Sequence, residues 1–107
     1  MDGTEREIEL TLIREGVPDH DHESLIQYVL RGRPVGDFLQ AVLENNLTES
    51  FGRADDTNRR CLFEICAWLY NWMPSNAWGS PAKYSAWITK GGTDGRRAHT
   101  EQEDTDA

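Results

Sequence analysis

Lysine is scarce in this chain: of its eleven cations only Lys83 and Lys90 are not arginine. That bias points to a GC-rich or salt-adapted source and bears on origin, not mechanism. Cysteine is as scarce. Cys61 and Cys66 stand five apart on one predicted helix, where their side chains point in different directions. The spacing argues against an internal disulfide and a metal site, and it suits a reducing compartment. No apolar run approaches the length that spans a bilayer, and the N-terminus lacks the layout of a signal peptide. A cytoplasmic protein with no membrane partner is expected. Aromatic residues are missing before Tyr28 and after Trp87, which places the expected core in the middle of the chain. Also missing are a phosphate-binding glycine loop, paired zinc histidines and a nucleophile elbow. On these grounds no catalytic residue, cofactor or metal is expected.

What is present is acid, unevenly spread. The 107 residues carry a net charge of −8. Residues 1–16 hold five acids and two bases, as do residues 93–107, while residues 17–92 hold nine acids and seven bases. The middle is close to balanced. It offers neither a basic face for a phosphate backbone nor a strongly acidic globule, so direct nucleic-acid binding is not expected. The length fits one small domain with a modest core.

Helical periodicity dominates the middle. Pro18 opens a first helix that Asp19 or Asp21 can cap, with Leu25, Ile26, Val29 and Leu30 on its apolar face and Gly32 at its end. After the connector Arg33-Pro34-Val35-Gly36, a second helix is expected from about Asp37 to Ser50, stopped by Gly52. A third, from about Asp56 to Met73, carries Leu62, Ile65, Cys66, Leu69 and Trp72 on one face, and Phe63, Ala67, Trp68 and Tyr70 extend its apolar surface. Such a helix is either surrounded by its own domain or shared with a partner, which favours a homo-oligomer. Ser80 and Pro81 form a strong start for a fourth, closed by Gly91-Gly92. Residues 1–16 read two ways. Ile8, Leu10 and Leu12 alternate like a strand, but Thr4 with Glu7 is a capping-box pattern, and a short helix or arm is favoured. Residues 93–107 contain no large apolar side chain and read as a disordered tail. The expected fold is an all-α compact bundle of about four core helices over residues 17–92.

Candidate site residues gather at the seam Gly52-Arg53-Ala54-Asp55-Asp56-Thr57-Asn58, between the two most apolar segments. Asp55 or Asp56 can cap the third helix. Arg53, Asp55, Asn58 and Arg59 could also hold an anionic or nucleotide-like ligand against exposed amides at the helix start. Trp78, in a turn beside Ala77 and Gly79, is a clamp over the third helix or a rigid contact for a partner. His20 and His22 among acids would pair as metal ligands only on an extended chain; on a helix they point apart and merely mark an acidic N-terminus. Glu64 is either a pocket carboxylate or a surface partner of Arg60.

The order Pro18-x-His20, Gly36-x-Phe38-Leu39-x-Ala41-Val42-Leu43-x-Asn45, Gly52-Arg53-Ala54-Asp55-x-x-Asn58, Leu69-Tyr70-Asn71-x-x-Pro74, Trp78-Gly79-Ser80-Pro81 and Trp87-Ile88 resembles a family of small uncharacterised proteins encoded by tailed phages and prophages. The resemblance covers about residues 17–92. It implies a phage or mobile-element origin and action in the host cytoplasm, and no particular activity. Asn46 stands where such proteins often have an acid, and Asp21 where they often have Met. The function expected is a non-enzymatic accessory protein, a helical binding module for a host protein or a small anionic ligand. Rival expectations are an acidic nucleic-acid mimic, a virion assembly factor, and a small enzyme using Glu64 or His20 with Arg53.

Overall fold

A computed structural model describes residues 4–96. Among the described residues seven α-helices and one 3-10 turn follow one another, a short helical stretch over residues 92–96 comes after them, and no strand occurs. The first helix, α1 (Glu5–Glu15), resolves the ambiguity of the N-terminal segment. Thr4 Oγ1 accepts from the Glu7 N–H at 3.3 Å, and Gly16 closes the helix in the left-handed region at φ 82°. Spacing of four then puts Ile8 and Leu12 on one face, and both are fully buried. α1 packs against the second and sixth helices, so the core is not confined to the middle of the chain. The aromatic count misled because α1 contributes only aliphatic residues to it.

α2 (Asp19–Arg31) buries Leu25, Ile26, Tyr28, Val29 and Leu30, as its periodicity requires. Neither Asp19 nor Asp21 is its cap. Pro18 holds that position without a side-chain bond, and Asp21 is turned into the protein. The expected second helix is two helices, α3 (Asp37–Leu43) and α4 (Leu47–Arg53). Asn45 takes a left-handed φ of 62°, and Asn46 Oδ1 accepts from the Glu49 N–H at 3.2 Å to start α4. Asparagine tolerates the first conformation and supplies the second bond, so the pair makes a sharp corner. Gly52 lies inside α4, not beyond it. The helix ends at Arg53 because Ala54 is extended, with φ −72° and ψ 138°.

The expected third helix is also divided, into α5 (Asp56–Arg60) and α6 (Leu62–Trp72), by a bend at Cys61. The ladder runs through that bend, since Cys61 N–H donates to Thr57 and Ile65 N–H donates to Cys61. Asp55, not Asp56, is the cap: its Oδ1 accepts from the Asn58 N–H at 2.7 Å. Both cysteines are free thiols.

A 3-10 turn, Ser75–Ala77, leads to α7 (Pro81–Thr89), where Ser80 Oγ accepts from the Lys83 N–H at 3.1 Å and Pro81 takes the first turn. Tyr28 of α2 gathers this end of the molecule. Its hydroxyl donates to the Ala77 carbonyl at 2.6 Å, its carbonyl accepts from Trp87 Nε1 at 2.8 Å, and its ring stacks on Tyr84 at 5.5 Å. The chain does not leave the fold at residue 92. Residues 92–96 stay helical, and the Arg96 guanidinium lies 3.8 Å above the Trp87 ring. The rest of the expected tail lies outside the described residues.

Gly92 has φ 72°, and a Cβ there would come within 2.6 Å of the Gly32 nitrogen and the Leu30 carbonyl. Gly92→Ala is therefore expected to cost more than about 1 kcal/mol, from left-handed strain and backbone overlap together. At the seam, Asp55→Ala should cost about 1 kcal/mol of stability through the lost cap, whereas Asp56→Ala should stay within about 0.5 kcal/mol. Urea unfolding midpoints separate these outcomes.

Candidate functional site

Two surface features arise where the short helices meet. The first is a polar pocket of about 380 Å³ at the seam, between α2, the start of α3 and α5. The Asn45–Asn46 corner folds α4 back beside α3, which sets Arg53 near Asp37. Asp55 and Asn58 enter from the start of α5, and Asp21 from the first turn of α2. Thus three of the expected site residues, Arg53, Asp55 and Asn58, do line one cavity. Arg59 does not. Its Nη1 lies 3.6 Å from Asp56 Oδ1 and its Nη2 donates to the Ala54 carbonyl.

The electrostatics of this pocket differ from those expected of an anion site. Arg53 Nε is 3.1 Å from Glu49 Oε2, and its Nη1 donates to the Asp37 carbonyl at 3.3 Å. The Asn58 amide is already taken by the Asp55 carboxylate, so the helix start supplies its own anion. Asp21, Asp37 and Asp55 all line the cavity. Asp21 is 5% exposed and Asn58 6% exposed. Burial raises the proton affinity of Asp21 above the usual carboxylate range, and the neighbouring Asp55 charge adds to this; His20, His22 and an Asn58 hydrogen bond oppose it.

His20 Nε2 stands 3.5 Å from Asp21 Oδ1 and 3.5 Å from Asp55 Oδ2. His22 points elsewhere, its Nε2–H donating to the Val17 carbonyl at 2.8 Å. Their helical placement keeps the two imidazoles from acting as a pair. Asp21 is the residue that sequence reasoning missed. The signal was its spacing: Asp21, Leu25 and Tyr28 fall four and three apart, on the buried face of α2.

The second feature is an apolar groove of about 400 Å³ between α6 and the α3 end. Phe63, Cys66, Ala67 and Tyr70 of α6 form one side, with Val42 and Trp78 opposite. Phe63 and Tyr70 are each 81% exposed. Cys66 also faces out instead of joining the core face, and partial burial raises its thiol pKa. The core side of α6 is turned toward α1, where Trp68 Nε1 donates to Thr11 Oγ1 at 2.8 Å and Trp72 Nε1 donates to Glu15 at 3.2 Å. Trp78 therefore belongs to the groove and not to the seam pocket. Glu64 lines neither cavity; its Cγ lies against the position a Gly16 Cβ would occupy, and no ion pair joins it to Arg60 among the described residues.

This is an all-helical domain with a carboxylate-lined pocket and a separate apolar groove. No helix among the described residues is long and apolar enough to cross a membrane. The chain matches no family model, no curated protein and no solved structure.

An ionised Asp21 in its buried position penalises the folded state at pH values above its raised folded pKa. The penalty fades as pH falls and is absent below the ordinary value of 3.8. Asp21→Asn is accordingly expected to be more stable than the parent near neutral pH, with the gain vanishing toward pH 3.8. Thermal unfolding of both proteins across that range checks the sign.

Proposed function

We propose that this chain is a non-enzymatic, phage-type accessory protein: a helical binding module that captures a host protein through the apolar face of α6. The observation that carries the reading is the pair Phe63 and Tyr70, each 81% exposed beside a groove that Trp78 walls. Two large rigid rings held in water cost solvation and bring the core nothing. Contiguous apolar surface with aromatic anchors is the surface type that carries binding energy between proteins. The motif order alone supports the phage-type origin and the host cytoplasm as the place of action.

A small anionic ligand fits less well than a protein partner. Arg53 and Arg59, the cations meant for it, are occupied by Glu49 and Asp56. A second reading of the same face is self-association. Phe63 and Tyr70 lie seven apart, two turns on one side of α6, so an antiparallel copy would bring each ring against the other kind.

The double substitution Phe63→Glu with Tyr70→Glu tests both. The thermal midpoint should hardly change, because exposed side chains away from the core contribute within about 0.5 kcal/mol. Native mass spectrometry of the full chain from its host should show a companion on the parent, either one host protein or a second copy. The complex should re-form from purified components and be lost in the double variant. A lone monomer for the parent protein would overturn the reading.

A further inference from the structure

The seam pocket leaves two acceptors unanswered. Asp21 and Asn58 are both more than nine-tenths buried, and Asp21 Oδ2 and Asn58 Oδ1 have no hydrogen-bond partner. Unpartnered buried polar atoms are rare and call for a reason. Both oxygens belong to side chains in the wall of a cavity that Asp37 and Asp55 also line. Arg53 is the one cation in that lining, and it is held by Glu49 and by the Asp37 carbonyl. His20 already rests its Nε2 between Asp21 and Asp55, at 3.5 Å from each, so a nitrogen-bearing group has access to both carboxylates.

An anion would face three carboxylates here and would answer neither orphan oxygen. A bare metal ion fits no better. Among the described residues no group of three or more His, Cys, Asp or Glu is placed to hold one, and a cavity of about 380 Å³ is far larger than an ion. A planar or tetrahedral group that only donates suits both the charge and the orphan acceptors, and carboxylates bind such groups by charge-assisted hydrogen bonds.

We propose that the seam pocket binds a donor-only organic cation, a guanidinium or ammonium group, through Asp21, Asp55 and Asn58, with Asp37 at the rim. The group is carried by a free small molecule or by a partner's side chain. The pocket shares no lining residue with the α6 groove, so failure of either site leaves the other standing.

The full chain, labelled with ¹⁵N, is titrated with agmatine, with acetylated Gly-Arg-Gly amide and with inorganic phosphate. Agmatine should shift the Asp21, Ser24 and Asn58 amides saturably, and phosphate should not. Tighter binding of agmatine assigns a free molecule, and tighter binding of the peptide a partner's arginine. Asp21→Asn should weaken the better ligand about tenfold, the loss of one charge-assisted bond. Asp37→Asn, on the exposed rim, should weaken it too and serves if the first variant unfolds. Equal binding by parent and both variants would overturn the site. So would saturation by phosphate alone. A spectrum that no ligand changes would overturn it as well.

Discussion

Much of this small fold depends on Tyr28 being buried with every polar atom answered. Its hydroxyl, its carbonyl and its ring each reach a different part of the C-terminal half, at Ala77, Trp87 and Tyr84. The same carbonyl also takes the Gly32 N–H at 3.0 Å, which ends α2 where residues 91–92 must pass close by. A buried phenol holds its proton more tightly than a free one, because burial disfavours the phenolate and neighbouring Tyr84 adds to that. It therefore remains a donor to Ala77. With α2 anchored in this way at its C-terminal half, its N-terminal turn presents Asp21 and His20 to the seam.

The two surface features have different origins. The groove exists because α6 is apolar on more sides than its neighbours cover: α1 takes the Trp68 side, while Phe63 and Tyr70 remain outside. The pocket exists because short helices cannot close every gap at their ends. Four helix ends meet near the seam, and each brings polar groups that need partners. Asp55 answers one of them as a cap, and Asp21 and Asn58 line the gap that remains, each with one side-chain oxygen unanswered.

Local signals in the sequence translated well where a single residue type settles the backbone. Thr4, Gly16, Gly32, Ser80 and Pro81 all end or begin helices where their chemistry says they should. Two long apolar segments were read as single helices and proved to be two each. The Asn45–Asn46 corner was visible as an asparagine followed three residues on by Glu49, a capping pattern hidden inside an apolar stripe that otherwise runs on. The bend at Cys61 has no such mark, since neither proline nor glycine sits there and the hydrogen bonds continue. The seam residues were legible as a group because corners concentrate polar side chains. Glu49, four residues before Arg53 on α4, was a legible partner for it, but the approach of Arg53 to Asp37 was not, because it arises only once α4 folds back beside α3.

The sequence by itself determined that the protein is helical, where most of its caps fall, and that its charge lies mostly at its ends. These follow from propensity, spacing and counting, which act within a few residues. Tertiary structure alone decided that α1 completes the core, that Asp21 is buried and Arg53 brought to the Asp37 carbonyl, and that Phe63 and Tyr70 stay in water. Each of those depends on which helix covers which face, and an apolar stripe states that it must be covered without stating by what.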